Sequence, residues 1–359
     1  MPTPTNTDHC DMRATVLLDG TLTVKSISRP PEPGPGQLML EVEACGICGS
    51  DLSAEKDPRR FVEVARDADF TMAVFDPDRP VVLGHEYAGR IVQVGAEVDT
   101  FAIGDRVTGI GVATDLTAGG LTIIGYSNTY PGGFGELIVV DASWVRQIPD
   151  GLSFEHATLA EPLHVGEIHV QQSKLGPDDA AIVIGAGPIG LGTVVAACAH
   201  GSSHVIVVEP SPLRRATALR LGAHVVLHPD DGDPIQVWRE RTGGDGLVIA
   251  YETSGRAGMI SQLMGTLPPG SLIQVVGSSF SDEVIRPVVG QWRQIGINFG
   301  QGPVDRPYDV TLQRLASGEI DAEALITDRV GLDGVADAFS RLRDPERNVK
   351  IVVFPKRAG

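Results

Sequence analysis

Two cysteines close together in the sequence are the first residues that could support chemistry. Cys45 and Cys48 are separated by two residues, and no second cysteine pair occurs anywhere in the chain. This excludes zinc sites that need four cysteines. A thioredoxin-type redox pair is also disfavoured, because it needs a helix directly after a strand and we expect mostly strands here. The remaining interpretation is that one of the two cysteines is a thiolate metal ligand.

Further motifs offer partners for this thiolate. His85 and Glu86 place an imidazole beside a carboxylate, and Glu161 adds a second carboxylate in the segment 160–164. One thiolate, one imidazole and one carboxylate make a three-ligand catalytic zinc site with an open fourth position. The combination therefore predicts a catalytic zinc site and leaves open which carboxylate completes it.

A glycine-rich loop after an apolar run predicts a dinucleotide site. Gly185, Gly187 and Gly190 match G-x-G-x-x-G, after the run 181–184 and before the helical stretch 191–199. The first glycine allows a tight turn, the second lets the backbone approach a pyrophosphate, and the third permits close helix packing. We expect the pyrophosphate to bind the N–H groups at the N-terminus of this helix.

The end of the next apolar run indicates which nucleotide binds. Glu209 follows the run 205–208 at the distance expected of an acid that accepts hydrogen bonds from the adenosine ribose. Since a carboxylate repels a 2′-phosphate, NAD is favoured over NADP. Arg214 and Arg215 weaken this preference, because an arginine near this point can bind that phosphate. Their alternative interpretation is a solvated helix face.

Strand and helix patterns divide the chain into two parts. Residues up to about 144 show short strands broken by turn residues, whereas from about 152 strands alternate with amphipathic segments of helix length. This alternation predicts a parallel sheet with helices on both faces, and six strands make a full dinucleotide fold. The six candidates are residues 181–184, 205–208, 225–227, 247–251, 272–276 and 295–299. The last apolar run, 349–354, has no place in this sheet, and we expect it to return to the first part.

Composition excludes several classes of protein. In 359 residues, 29 Lys and Arg stand against 46 Asp and Glu, and a formal charge of −17 disfavours nucleic acid and membrane surfaces as partners. Residues 180–203 are long and apolar enough for a membrane span, but their glycines and Pro188 favour a strand, a turn and a helix. The polar N-terminus lacks the apolar core of a secretory signal, so we expect a cytoplasmic protein.

Together these motifs resemble the zinc-dependent medium-chain dehydrogenase/reductase superfamily, in its alcohol, sorbitol, threonine and butanediol dehydrogenase group. The resemblance extends over residues 12–355, and its marks are residues 46–51, 84–86, 104–107, 161–163, the glycine loop and residues 325–327. It implies an α/β fold with two domains. These are a GroES-like, β-rich catalytic domain over residues 1–151 and 306–359, and a six-stranded parallel Rossmann domain over residues 152–305.

The resemblance also implies roles for single residues. The catalytic residues are Cys48, Ser50, His85 and Glu161. The zinc ligands are Cys48, His85 and a carboxylate from Glu86 or Glu161, with Cys45 a bystander and Asp51 the partner that orients His85. The cofactor contacts are Gly185, Gly187, Pro188, Ile189, Gly190, Glu209, Arg214, Gly277 and Lys350.

The chain departs from the family pattern at three points. Residues 108–133 lack the four cysteines that bind a second zinc in many relatives, so we expect one zinc per chain. The segment 55–79 is longer than usual, and is either a wall of the substrate pocket or a surface insertion. Ser50 resembles the hydroxyl that starts the family's proton relay, but Ser53 stands where many relatives end that relay with histidine.

The implied function is a zinc-dependent alcohol dehydrogenase that transfers hydride between NAD(H) and a secondary alcohol, diol or polyol, or the matching ketone. One alternative is a zinc-free, NADPH-dependent quinone or enone reductase, which the ligand motifs argue against. Another is a non-catalytic nucleotide-binding protein. By resemblance we expect a homodimer or homotetramer, with residues 272–276 similar to a strand that pairs across the dimer.

Overall fold

The computed structural model describes residues 11–300 and 305–357. The chain divides into two units. The first unit is Met1–Ile148, Arg329–Phe339 and Val352–Gly359, and the second is Pro149–Asp328 and Ser340–Ile351. The domain boundaries that we expect at 151/152 and 305/306 stay a prediction.

Short strands build most of the first unit. They are β1 (Asp11–Leu18), β2 (Thr21–Ser28), β3 (Gln37–Gly46), β4 (Glu86–Val94), β5 (Arg106–Gly109), β6 (Val112–Thr114), β7 (Leu121–Ile123), β8 (Leu137–Asp141) and β9 (Val145–Gln147). Two helices, α1 (Gly49–Lys56) and α2 (Pro58–Asp67), lie between β3 and β4. The first part is rich in strands, as expected, but a helix follows β3 directly at Cys48, so the expectation that this region lacks a strand followed by a helix is wrong. A Pro at the first position of α2 and the Asp57 side chain, which accepts the Arg60 N–H, explain where α2 begins.

The second unit carries the alternating elements. After α3 (Phe154–Ala157) and α4 (Ala160–Ser173) come β10 (Ala180–Ile184), α5 (Pro188–Ala199), β11 (His204–Val208), α6 (Pro212–Arg220), β12 (Val225–Leu227), α7 (Pro234–Thr242), β13 (Val248–Glu252), α8 (Met259–Thr266), β14 (Leu272–Val275), α9 (Pro287–Arg293), β15 (Gly296–Phe299) and α10 (Asp305–Ala316). The chain continues through β16 (Ile326–Val330), α11 (Val335–Leu342) and β17 (Lys350–Val353).

One antiparallel pairing in the first unit brings distant residues together. β3 pairs with β4, and this register sets Gly46, at the end of β3, opposite Glu86, at the start of β4. The residues just after β3 and just before β4 therefore lie side by side. At the same end of β3, Val353 of β17 lies opposite Cys45, so the last apolar run does pair with the first unit.

A six-stranded parallel sheet forms the core of the second unit, as the alternating pattern predicts. Its order is β12-β11-β10-β13-β14-β15, and every pairing is parallel. Ile182, Ile206 and Ile273 are fully buried on its central strands. The strand order reverses between β10 and β13, and in such sheets ligands bind at the carboxyl ends of the strands at that point.

The place of β14 corrects one expectation about assembly. Because β14 pairs with β13 on one side and β15 on the other, both of its backbone edges are already occupied. The segment 272–276 therefore cannot be the strand that pairs across a dimer, and β15 is the edge of the sheet on that side. Among the described residues, no helix has the length and apolar character needed to cross a membrane.

Candidate active site

Cys48 stands at the N-terminus of α1. Cys48 is the N-cap residue of this helix and has an extended backbone conformation (φ −92°, ψ 157°). Cys48 and Asp51 form a capping box. In this box the Cys48 N–H donates to Asp51 Oδ2 at 2.9 Å. The cap fixes the direction in which the Cys48 thiol leaves the helix, and it holds the Asp51 carboxylate beside it.

His85 and Glu86 are positioned by the glycine that precedes them. Gly84 has φ +101°, and a Cβ on it would lie 2.9 Å from the Phe134 ring and 3.0 Å from Cys45 Sγ. Only glycine fits this conformation and space. His85 is buried just before β4, and Glu86, the first residue of β4, is fully buried.

Cys48, His85 and Glu86 form one group of potential metal ligands. One thiol sulfur, one imidazole nitrogen and one carboxylate oxygen from these residues all lie within 4.8 Å of one another. Sulfur, nitrogen and oxygen donors at such spacing suit zinc, which binds thiolate, imidazole and carboxylate in tetrahedral sites. The residues present therefore fit a zinc ion.

Asp51 sets the electrostatics of this group. Its fully buried carboxylate lies 3.5 Å from His85 Nδ1 and accepts the Gly84 N–H at 3.3 Å. Burial disfavours a charged His85, but the charges of Asp51 and Cys48 outweigh it and raise the imidazole pKa well above its ordinary value. A carboxylate on Nδ1 also leaves Nε2 as the nitrogen available to a metal.

Tyr126 completes the surroundings, and nothing in the sequence distinguishes it within a loop rich in glycine. Its hydroxyl donates to Ser50 Oγ at 2.8 Å and lies 3.3 Å from Asp51 Oδ1. Burial, followed by the Asp51 and Cys48 charges, raises the Tyr126 pKa well above 10. Ser53, by contrast, donates its hydroxyl to Gly49 O in its own helix at 3.2 Å.

Cys45 has a packing role in the structure. It is fully buried in β3, and its Sγ lies 2.6 Å from the point where a Cβ on Gly133 would be. The C-x-x-C does lie at a junction of strand and helix, contrary to our expectation. The burial of Cys45, rather than the lack of a helix, is what disfavours a redox pair, since exchange needs an accessible thiol.

The glycine loop of the second unit has the predicted conformation at each position. Gly185 has φ +95°, Gly187 caps α5, and Pro188 is the first residue of that helix. A Cβ on Gly190 would lie 2.1 Å from Gly185 O, whereas one on Gly187 would meet nothing closer than Arg214 Nη1 at 4.0 Å. The Gly187 backbone is therefore open on the side where a pyrophosphate would approach.

Glu209 lies beside this loop at the end of β11. Its buried carboxylate accepts the Ala186 N–H at 2.6 Å and the Ser211 N–H at 2.9 Å. Each carboxylate oxygen has two lone pairs, so both retain capacity to accept a further hydrogen bond. Arg214 donates through Nε and Nη2 to Asn348 O at 3.2 and 3.1 Å. Arg215 donates to the carbonyls of Glu209 and Pro210.

The remaining predicted residues lie as follows. Gly277 follows β14, and its N–H donates to Glu252 O at 2.7 Å. Ile189 is in the first turn of α5, and Lys350 is a buried residue of β17. Glu161 lies in the first turn of α4, in the second unit. Its part in a metal site, and the choice between it and Glu86, stay predictions.

A second group of three potential ligands lies in the second unit. It consists of Glu155, His156 and Glu323. His156 Nε2 already contacts Glu323 Oε1 at 2.9 Å, and the Glu323 side chain is 57% exposed. A hydrogen bond between His156 and the exposed Glu323 accounts for this group without a metal, so our expectation of one zinc per chain stands as a prediction.

Comparisons with known proteins agree with this geometry. The family model "Alcohol dehydrogenase GroES-like domain" matches residues 34–150, and "Zinc-binding dehydrogenase" matches residues 188–299. Sorbitol dehydrogenase of Bacillus subtilis is 30% identical over 98% of this chain and 100% of its own length. The chain belongs to the zinc-type medium-chain dehydrogenase/reductase superfamily. (R,R)-butanediol dehydrogenase of the same organism is 31% identical over 90% of this dehydrogenase and 94% of its own length.

A solved structure supports the fold of the dehydrogenase. The crystal structure of 2R,3R-butanediol dehydrogenase from Bacillus subtilis matches with a TM-score of 0.79 at 28% identity, over 96% of this chain and 100% of that one. The protein is thus an oxidoreductase of the alcohol dehydrogenase family. Family membership points to a zinc ion, a nicotinamide cofactor and a small-molecule substrate.

Proposed function

We propose that this dehydrogenase uses one zinc ion and NAD(H) to interconvert a secondary alcohol, diol or polyol and the matching ketone. The observation that carries the proposal is the convergence of Cys48, His85 and Glu86 to within 4.8 Å of one another. The two Bacillus subtilis relatives act, by their names, on sorbitol and (R,R)-butanediol, which supports a substrate with neighbouring hydroxyl groups.

Each residue of the proposed site has a distinct task in this function. Cys48, His85 and either Glu86 or Glu161 would hold the zinc. When bound, the zinc would polarise the substrate oxygen and the nicotinamide would serve as the hydride acceptor. Asp51 orients the His85 ring. Ser50 exchanges a proton with the substrate oxygen through its hydroxyl.

The nucleotide preference rests on Glu209. We propose NAD as the cofactor, because a buried carboxylate at the end of β11 accepts hydrogen bonds from ribose hydroxyls and repels a 2′-phosphate. Arg214 donates two of its five N–H groups to Asn348 O and keeps three, so it remains a proposed contact near the adenosine ribose. Lys350 and Gly277 are proposed as further cofactor contacts.

Two measurements on the purified protein test the proposal. Metal analysis should give about one zinc per chain, since one three-ligand site is proposed. A screen of short secondary alcohols, diols, polyols and cyclic alcohols should reduce NAD faster than NADP. Protein without zinc after zinc-replete expression, or without turnover of any alcohol, contradicts the proposal.

The carboxylate ligand can be assigned by a matched pair of variants. Glu86→Gln and Glu161→Gln each replace one carboxylate by an amide of the same shape. The variant that lacks the resting ligand should contain less zinc after dialysis against a chelator, whereas the other variant should retain its zinc. Equal retention by both variants would show that neither carboxylate binds the ion at rest.

For its assembly and location we propose a cytoplasmic homodimer or homotetramer. The edge strand β15 exposes Phe299, and the nearby helix α9 exposes Trp292 at 81% of its surface. Large apolar side chains at a sheet edge are typical of surfaces that another chain covers. Light scattering coupled to gel filtration should give a multiple of the 37.9 kDa chain mass, and a monomer would contradict this proposal.

A further inference from the structure

Tyr126 touches several parts of the candidate zinc site at once. It is 3% exposed, and its hydroxyl donates to Ser50 Oγ at 2.8 Å and lies 3.3 Å from Asp51 Oδ1. Its ring lies 5.4 Å from the His85 ring, centroid to centroid, at an angle of 45°. One side chain from the loop before β8 thus contacts Ser50, Asp51 and His85 together.

The hydrogen bond from Tyr126 determines what Ser50 can do. A phenol has one hydrogen, and the Tyr126 hydroxyl has two acceptors for it, Ser50 Oγ at 2.8 Å and the Asp51 carboxylate at 3.3 Å. When this hydrogen is donated to Ser50 Oγ, Ser50 directs its own hydrogen elsewhere. Among the described residues, the Ser50 side chain makes no hydrogen bond with the protein other than the one with Tyr126. In the arrangement in which Tyr126 donates to Ser50, the Ser50 hydrogen is available to an oxygen atom of a substrate.

The unusually long segment before His85 holds Tyr126 in place. Phe61 of α2 is 6% exposed, and its ring packs on Tyr126 with centroids 4.9 Å apart. Phe75 packs on Phe61 in turn, at 6.1 Å. Asn128, two residues after Tyr126, accepts the Asp76 N–H at 2.7 Å and donates to Asp76 O at 3.1 Å. These contacts tie segment 58–76 to the loop that carries the tyrosine.

We propose that Tyr126 is a positioning residue that fixes the Ser50 hydroxyl and the Asp51–His85 pair, and that Phe61 of the long segment braces it. This proposal rests on the proposed function and adds a residue to it. It also gives segment 58–76 a role that neither a pocket wall nor a surface insertion describes. Tyr126 acts through Ser50 and Asp51, without itself contacting the reacting atoms.

The decisive experiment compares Tyr126→Phe with Tyr130→Phe in the full-length, zinc-loaded protein. Tyr130 is a matched control, because it is buried in the same loop and its hydroxyl accepts only the Leu116 N–H among the described residues. We expect Tyr126→Phe to lower kcat by roughly 10- to 100-fold, the usual cost of losing a group that orients a ligand. NADH affinity, measured by fluorescence titration, should not change, and Tyr130→Phe should retain its kcat.

A second readout does not depend on turnover. Because Tyr126 also holds Asp51, Tyr126→Phe should lose zinc to a chelator roughly 10-fold faster than wild type, with Tyr130→Phe at the wild-type rate. This comparison still tests Tyr126 if no alcohol substrate is found, whereas absence of zinc from the wild type contradicts the proposed function itself. Equal kcat and equal zinc release in both tyrosine variants would overturn the positioning role.

The brace is tested on helix α2. Phe61→Leu keeps the Tyr126 hydroxyl but loses the ring contact, so it should lower kcat and speed zinc release in the same direction by a few-fold, roughly 3- to 10-fold. Val62→Ala is the control on the same helix, since Val62 is also buried and makes no ring contact with Tyr126. If Val62→Ala reproduces the effect of Phe61→Leu, the helix stabilises the fold generally and Phe61 has no bracing role.

Discussion

The two units of this dehydrogenase form their candidate sites by different means. In the first unit, side chains from separate stretches of sequence converge: Cys48 after β3, His85 and Glu86 at the start of β4, and Tyr126 from a loop. In the second unit, the loop is one continuous stretch of backbone, residues 185–190, with Glu209 beside it. The first site depends on the chemistry of its side chains. The second depends mainly on glycines, which have no side chain and leave the backbone accessible.

This difference predicts which substitutions do the most damage. Cys48→Ser should remove zinc and lower kcat/KM by at least about 1000-fold, because a metal centre supplies several kcal/mol of transition-state stabilisation. Zinc content and turnover with the best alcohol from the screen measure this. Cys45→Ala is the matched control, since the buried Cys45 thiol is expected to pack and not to bind metal. Equal loss of zinc from Cys45→Ala would show that the wrong cysteine is assigned.

The cysteine of the second unit should behave as a packing group. Burial raises the pKa of the Cys198 thiol to about 11, and its Sγ donates to Gly222 O at 3.2 Å. Since only the thiolate reacts, alkylation of Cys198 at pH 8 should be about 100-fold slower than that of a thiol with an ordinary pKa near 9. The rate should rise with pH up to about 11, as the thiolate fraction grows.

Mass spectrometry of the peptide that contains Cys198 after timed treatment with iodoacetamide measures this rate. A small thiol in the same tube serves as the reference. Fast alkylation of Cys198 at pH 8, with the fold intact by circular dichroism, would contradict its assignment as a half-buried packing residue.

Two glycines of the glycine loop, residues 185–190, should respond differently to substitution by alanine. A Cβ on Gly187 meets no atom closer than 4.0 Å, so Gly187→Ala should retain its melting temperature but obstruct the pyrophosphate, raising the NADH Kd by roughly 30-fold. Gly190→Ala places its Cβ 2.1 Å from Gly185 O and should lower the melting temperature. Calorimetry and fluorescence titration separate the two effects. Unchanged NADH affinity in Gly187→Ala would place the pyrophosphate elsewhere.

Much of the second unit follows from its sequence for a physical reason. Parallel strands covered on both faces show as continuous apolar runs, and the glycine loop is local, so spacing along the chain reports spacing in the structure. The six-stranded parallel sheet is confirmed in full. The expected dimer strand at 272–276 is wrong because an apolar run does not show whether a strand is internal or at an edge.

Less of the structure of the first unit can be predicted from its sequence. Cys48, His85 and Glu86 can be proposed because their residue types are rare ligands, but α1 gives no signal, since a short run of mostly polar residues has no apolar periodicity. Tyr126 reaches Ser50 only through the tertiary arrangement of a loop 76 residues away in sequence. Loop contacts of this kind leave no periodic signal in a single sequence.

The smallest of these effects is expected at Glu209, the side chain beside the glycine loop of the second unit. Glu209→Gln keeps the shape of the side chain and removes its charge, so NAD should lose affinity and NADP should no longer be repelled. The ratio of kcat/KM for NAD to that for NADP should fall by about 10-fold, in line with the strength of one hydrogen bond to a charged group.

Glu252→Gln is the control for this last variant. Glu252 is also a buried carboxylate at the end of a strand of the same sheet, but its oxygens accept the N–H groups of Ser254 and Gly255 within its own turn. Glu252→Gln should change kcat/KM for NAD and kcat/KM for NADP by the same factor. If Glu209→Gln likewise affects NAD and NADP equally, the carboxylate stabilises the loop through the Ala186 and Ser211 N–H groups and selects neither nucleotide. The second site would then depend on its backbone alone.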